Sequence, residues 1–293
     1  MSIKSLKTPL RYPGGKSKAI KTLSQWYPKI ISEYREPFIG GGSIAIDITK
    51  SNPDIPVWIN DLYVPLYNFW VQLRDRGDEL SERVREEKQN TLDEGDSDKV
   101  TSKAKDLFNK YKEEIDTYDD FEKAVAFFIM NKCSYSGLTE NSTFSQTASN
   151  SNFSLVGADK LKEFSKLIKN WKITNVDYSE LMVERGSDDT FIFLDPPYDI
   201  KDFLYGKNRE MHKSFDHEIF ADQVYNCIHK FMITYNVNDR LKEMYKNYNL
   251  EEWKLRYSMA HRGDKGTDEN VKTELLITNY NIYPVSPLEQ LLI

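Results

Sequence analysis

Thr190-Phe191-Ile192-Phe193-Leu194 runs without a break into Asp195-Pro196-Pro197-Tyr198, and this nine-residue stretch decides the fold. Five apolar or β-branched residues in a row, closed by a turn, are the pattern of a buried strand. Similar short runs recur at Ile55–Ile59, Phe231–Thr234 and Glu274–Thr278, with amphipathic stretches between runs at Pro65–Leu80 and Ile219–Lys230. Strands alternating with helices predict an α/β protein with a largely parallel, doubly wound sheet. In such sheets ligands bind outside the carboxyl ends of the strands, which is where Asp195 falls.

The middle of the chain differs. Leu73 to Lys132 is charged, punctuated by Tyr and Phe, and helix-like, whereas Thr139 to Ser154 is rich in Ser, Thr and Asn and reads as loop. The expected organisation is a catalytic domain formed by residues 1–72 and 171–293, interrupted by an inserted, mainly helical domain at 73–170.

Composition bounds the possibilities more loosely. The 293 residues carry a net charge of −6, with 39% hydrophobic and 29% charged residues. This acidity does not exclude nucleic acid, because only the face touching phosphate must be basic. No apolar run has the length of a membrane span, and Met1 to Lys7 lacks a signal-peptide core, so no membrane contact and a cytoplasmic location are expected. Two isolated cysteines, Cys133 and Cys227, and four histidines without ligand spacing point to no metal site.

The first half of the expected site is a nucleoside pocket. Glu36-Pro37-Phe38-Ile39-Gly40-Gly41-Gly42-Ser43 precedes a helix-like stretch, Ile44–Ile48. Glycines at a strand-to-helix turn let the backbone approach a ligand closely. The next strand ends at Asn60-Asp61, about twenty residues beyond Gly40, where an acid accepts the hydroxyls of a ribose. Asp61 is equally a candidate cap for the helix beginning near Pro65. No intact dinucleotide fingerprint is present, so a nucleoside cofactor without a pyrophosphate suits these residues. Arg11-Tyr12-Pro13-Gly14-Gly15-Lys16 lacks the spacing of a phosphate-binding loop, and alone it reads as a surface turn.

The second half is Asp195-Pro196-Pro197-Tyr198. An aromatic exocyclic amine is a poor nucleophile because its lone pair is delocalised into the ring. Acceptors for both N–H groups draw that lone pair out and aim it at a methyl donor. The Asp195 carboxylate is one acceptor and the Pro196 carbonyl the other, held rigidly by two prolines. Tyr198 is suited to stacking on a base turned out of the helix. A sulfonium donor is already activated, so alignment is most of the catalysis.

With these motifs in order, the sequence resembles the Dam-like (D12 class) DNA adenine-N6 methyltransferases over most of its length. Tyr12-Pro13-Gly14-Gly15-Lys16 matches the family's Trp-x-Gly-Gly-Lys element, Glu36 to Gly42 its Glu-Pro-Phe-x-Gly-x-Gly loop, and Asp61 its ribose-binding acid. Asn175-Val176-Asp177-Tyr178 looks like the element before the catalytic strand, Ile233 to Asn236 like a strand supporting the base pocket, and Glu274 to Tyr280 like the closing strand. The resemblance implies a Rossmann-like class I methyltransferase sheet with an inserted DNA-recognition domain. It implies S-adenosyl-L-methionine bound by Tyr12, Lys16, Pro37, Phe38, Gly40, Gly42, Asp61, Asp177 and Asp195. It implies double-stranded DNA as substrate, base flipping, catalysis by Asp195, Pro196 and Tyr198, a place in restriction–modification, and action as a monomer.

Asn131-Lys132-Cys133-Ser134-Tyr135-Ser136-Gly137-Leu138 resembles the family's Asn-Arg-x-x-Tyr-Asn-Gly-Leu stretch, which implies DNA contacts by Lys132, Tyr135 and Ser136. An ordinary helix end capped by Gly137 is the alternative for Tyr135. Glu140 stands where Dam enzymes carry arginine, the usual bidentate reader of guanine, and the following Phe-Asn-x-Pro-Phe-Gly hairpin is unmatched. Both departures count against GATC as the recognition sequence and leave adenine chemistry untouched. Basic residues follow the catalytic motif (Lys201, Lys207, Arg209, Lys213) and recur at Arg256, Arg262 and Lys265, suited either to a DNA cleft or to solvated faces. The same chemistry on RNA or a protein amide is the rival enzyme reading; a catalytically dead DNA-binding subunit is the non-enzymatic one.

Overall fold

A computed structural model describes residues 6–93, 96–139, 142–198, 215–256 and 271–282. Its centre is a seven-stranded sheet: β1 (Glu33–Glu36), β2 (Val57–Asn60), β3 (Lys172–Thr174), β4 (Thr190–Leu194), β5 (Lys230–Asn236), β6 (Asn249–Arg256) and β7 (Val271–Thr278). The spatial order is β3-β2-β1-β4-β5-β7-β6, and every pairing is parallel except those of β7, which runs antiparallel between β5 and β6. This mixed sheet with helices is the α/β class expected, consistent with a class I methyltransferase fold. The strand quoted above lies between β1 and β5, and all five of its side chains are buried. That double-sided burial is why it reads as a continuous apolar run rather than an alternating one.

The helices among the described residues are α1 (Ile20–Leu23), α2 (Ser43–Ser51), α3 (Val64–Asp75), α4 (Gly77–Thr91), α5 (Ser97–Glu114), α6 (Asp120–Cys133), α7 (Gln146–Asn152), α8 (Leu155–Ile168), α9 (Tyr178–Val183), α10 (His217–Tyr225) and α11 (Asp239–Met244). Several starts are written in the sequence. Asp96, Asp119, Ser154, Asp177, Asp216 and Asn238 each accept a hydrogen bond from a first-turn amide, satisfying donors the helix itself cannot.

Three local expectations are corrected. The amphipathic stretch from Pro65 to Leu80 is two helices, broken at Arg76, where Gly77 packs so tightly that a Cβ there would lie 2.1 Å from the Ser165 side chain. The polar segment 139–154 is not all loop. Ser145 caps α7 through the Ala148 amide, a local gain that outweighs weak helix propensity. The stretch to Lys230 is helical only as far as Tyr225, and Lys230 opens β5.

One buried apolar cluster joins sheet residues such as Tyr34, Ile59 and Phe191 to Trp70 of α3 and to Phe108, Phe127 and Phe164 from the helices of the middle segment. The opposite face of the sheet packs a second cluster, in which Ile192 and Leu194 meet Phe220, Tyr235 and Leu275. Alternate side chains of β4 therefore feed the two layers.

Candidate active site

Four parallel strands, β1, β2, β4 and β5, end at the same edge of the sheet, and the loops leaving them build one cleft of about 700 Å³. The strand order reverses between β1 and β4, so their crossovers diverge and leave a crevice there. Tyr12, Lys16, Pro37, Phe38, Gly40, Gly42, Asp61, Asp177, Asp195, Pro196 and Tyr198 all line it. These residues come from segments almost two hundred positions apart.

The glycine loop is shaped by conformation and by contact. Gly40 and Gly42 have φ of +47° and +68°, the left-handed region that favours glycine. A Cβ at Gly40 would lie 2.8 Å from the Tyr12 ring, and one at Gly42 would lie 2.7 Å from Trp70. The Trp70 indole N–H also donates to the Gly40 carbonyl at 3.2 Å. Asp61 braces the other side: its carboxylate accepts the Gly40 amide at 3.1 Å and the Tyr63 amide at 3.0 Å. Burial, opposed by the Gly40 amide, pushes the Asp61 carboxyl up to about 7. The helix α3 itself is capped at Tyr63, without an Asp61 side-chain cap.

Asp195 is held from two sides. The Lys16 ammonium, only 3% exposed, donates to both of its oxygens at 2.7 and 2.6 Å, and the Thr234 hydroxyl donates to Oδ1 at 2.8 Å. Lys16 also donates to the Gly14 carbonyl and lies 5.2 Å from the centre of the Tyr198 ring. The Tyr198 hydroxyl donates to Glu274 at 2.6 Å. Beneath them Glu36 is buried, and the cost of burying its charge pushes its carboxyl up to about 8, against the Tyr34 hydroxyl that donates to it at 2.7 Å. At the outer end, Phe38 packs against Tyr178, Phe215 and Phe220, and Asp177 caps α9 through the Ser179 amide.

A family model for the D12 class N6 adenine-specific DNA methyltransferases matches residues 12–259. The chain belongs to that family. It is 27% identical over 290 residues to the type II methyltransferase M.MjaIII of Methanocaldococcus jannaschii, an alignment spanning 92% of this chain and 98% of that protein. It is similar at 24% identity to M1.LlaDCHI of Lactococcus lactis subsp. cremoris, over 92% of this chain and 94% of that one. At 22% it is similar to M.CviBI of Paramecium bursaria Chlorella virus NC1A, over 94% and 100%. The chain is thus a site-specific, adenine-N6 DNA methyltransferase.

In this D12 methyltransferase the segment named for DNA contact lies outside the cleft but is tied to it. Tyr135 is exposed, and Ser136 is half-buried with φ of +53°. Lys132 is half-buried, not turned freely outward: its ammonium donates to the Pro9 carbonyl at 2.6 Å, and burial and the nearby Arg11 lower it to about 8. Gly137 does not cap α6, whose C-cap is the extended Ser134; it sits a turn later, where a Cβ would lie 2.2 Å from the Arg11 carbonyl. Glu140, Lys201, Lys207, Arg209, Lys213, Arg262, Lys265 and the Arg256 side chain lie outside the described residues.

Sequence reading missed several polar residues that assemble the site. Asn131, fully buried, exchanges both its amide groups with the Arg11 backbone at 2.7 and 2.9 Å and donates to the Gly137 carbonyl at 3.0 Å. Asn60 joins the loops after β1 and β3 by donating to the Pro37 and Val176 carbonyls at 3.2 and 3.0 Å. With Thr234 and Glu274 they share one signal, a polar residue within or closing an otherwise apolar element, where a buried polar group needs a partner. Among the described residues there is no group of three His, Cys, Asp or Glu arranged to hold a metal, and no helix long and apolar enough to cross a membrane.

Proposed function

We propose that the cleft binds S-adenosyl-L-methionine beside an adenine extruded from duplex DNA, and that Asp195, Pro196 and Tyr198 align the amine for transfer. The observation that carries this reading is the bracing of Asp195 by Lys16 and Thr234 in the same cleft that the glycine loop lines. A nucleoside suits the cleft beside that loop. Gly40 and Gly42 shape the loop by letting the Tyr12 and Trp70 rings pack against its backbone, the Asp61 carboxylate retains acceptor capacity for ribose hydroxyls beyond its two amides, and Phe38 offers an aromatic wall. The volume lies within the range of about 300–1,000 Å³ typical of small-molecule sites. The Asn236 side-chain oxygen, buried in the cleft wall, has no partner among the described residues and suits an amine or hydroxyl donor.

The cofactor supplies a methyl group already activated on a sulfonium. The protein's residues supply alignment. Oδ1 of Asp195 accepts from Lys16 and Thr234, while among the described residues Oδ2 accepts only from Lys16, which leaves it acceptor capacity for substrate. That acceptor and the Pro196 carbonyl accept hydrogen bonds from the two N6 hydrogens and turn the nitrogen lone pair toward the methyl donor; the single proton that N6 loses on methylation leaves along its hydrogen bond to Asp195. Because the acceptors are fixed beforehand, the developing positive charge on nitrogen requires no reorganisation. Tyr198 provides the stacking face.

The segments 1–72 and 171–293 are read as the catalytic domain and 73–170 as the recognition insert, with Lys132, Tyr135 and Ser136 addressing DNA. The type II relatives support a place in restriction–modification, and the enzyme is read as a cytoplasmic monomer. The test is incubation of purified enzyme with plasmid DNA and methyl-labelled cofactor, followed by identification of the modified base. Label in N6-methyladenine is expected, and Asp195→Ala is expected to lose at least about 100-fold in turnover while still binding cofactor. Label in N4-methylcytosine, or wild-type turnover by Asp195→Ala, overturns the mechanism.

A further inference from the structure

Glu274 is 2% exposed in the middle of β7, followed by Leu275, Leu276 and Ile277, all fully buried. A carboxylate in such a place is costly unless something compensates for lost water. The Tyr198 hydroxyl does so in part, donating at 2.6 Å across 76 positions of sequence. The backbone is constrained at both ends of this bond. Glu274 pairs with Asn236 of β5 on one side and Trp253 of β6 on the other, so its backbone cannot shift without disturbing three strands. Tyr198 follows two prolines, which restrict the backbone leading to it.

We infer that Glu274 is a positioning residue for transfer: by accepting the Tyr198 hydroxyl it fixes the plane of the ring on which the extruded adenine stacks. A tyrosine ring can still turn about two side-chain torsions after its backbone is fixed. Anchoring the hydroxyl removes that freedom. The ring is thereby held against the Lys16 side of the cleft, where the Lys16 ammonium is 5.2 Å from its centre and bonded to Asp195. Ring plane, carboxylate and ammonium thus share one frame, and the adenine amine meets Asp195 at a set angle. The antiparallel β7 then has a catalytic purpose besides completing the sheet. This inference rests on the reading of Tyr198 as the stacking residue.

The test combines Glu274→Leu, Glu274→Gln, Tyr198→Phe and the double variant Glu274→Leu/Tyr198→Phe in single-turnover methylation. Glu274→Leu and Tyr198→Phe are each expected to slow transfer about tenfold, with cofactor affinity and the KM for DNA within about twofold of wild type. The double variant is expected to be no slower than the slower single variant, because both delete the same bond. Glu274→Gln keeps an acceptor and is expected to recover most of the rate. DNA carrying 2-aminopurine at the target position is expected to fluoresce more brightly on Glu274→Leu than on wild type, since a loosely held ring quenches less. Multiplying rate losses in the double variant, equal fluorescence, or a fall in cofactor affinity matching the fall in rate overturns the inference. Should Glu274→Leu fail to fold, Glu274→Gln and Tyr198→Phe probe the same bond. Wild-type turnover by Tyr198→Ala would instead overturn the stacking reading itself.

Discussion

The glycine loop is most sensitive at a single atom. Gly40 lies at φ +47° with the Tyr12 ring where its side chain would stand. An alanine there adds left-handed strain and drives the Tyr12 ring out of the cleft, or forces the loop to retreat from Asp61. Gly40→Ala is therefore expected to weaken cofactor binding by about tenfold or more, measured calorimetrically, while leaving thermal stability within a few degrees. Unchanged affinity would mean that the ligand does not use this loop. Asp61 differs in kind: its spacing from Gly40 marks it as a candidate ribose acceptor or helix cap, whereas its bonds to the Gly40 and Tyr63 amides are products of folding.

At the scale of elements, β4 and β5 act as a pair. Their parallel register puts Leu194 opposite Ile233, so the next residues, Asp195 and Thr234, emerge side by side at the sheet edge. Thr234 is fully buried and donates to Asp195 Oδ1 at 2.8 Å. Thr234→Val keeps the shape and the strand preference and deletes the donor. It is expected to lower kcat by about tenfold with little change in cofactor affinity, since Lys16 alone would then orient the carboxylate. Equal kcat in a steady-state comparison would show that Lys16 suffices. Strand β4 was legible to the residue because burial on both faces leaves only apolar positions. Strand β6, Asn249–Arg256, was not: among the described residues it pairs only with β7, and its charged and apolar mixture gives no run to read.

Over the whole molecule, carboxyl groups held inside the cleft link stability to pH. Burial pushes the Glu36 carboxyl up to about 8 and the Asp61 carboxyl up to about 7 in the folded protein, whereas unfolded carboxyls sit at about 4. Between those values the native state binds more protons than the unfolded state, so these groups' contribution to stability falls as pH rises from about 4 to about 8. In urea denaturation, the loss between about pH 5 and about pH 8 is expected to be smaller in Glu36→Gln than in wild type. Identical pH slopes would mean that Glu36 is ionised throughout.

The sequence by itself determined the α/β class, the strand that carries the reacting motif, and the order of the motifs around the site. It could do so because apolar periodicity, glycine and proline each act within a few neighbouring residues. Only tertiary structure decided that Lys16 and Thr234 converge on Asp195, that Asn131 straps the Arg11 backbone to the segment bearing Tyr135, and that Glu274 meets Tyr198. Those partners are separated by 179, 39, 120 and 76 positions. Hydrogen bonds between residues so far apart leave no period in the chain. They exist because burial forces each polar group to find a partner, and only the folded sheet brings that partner within reach.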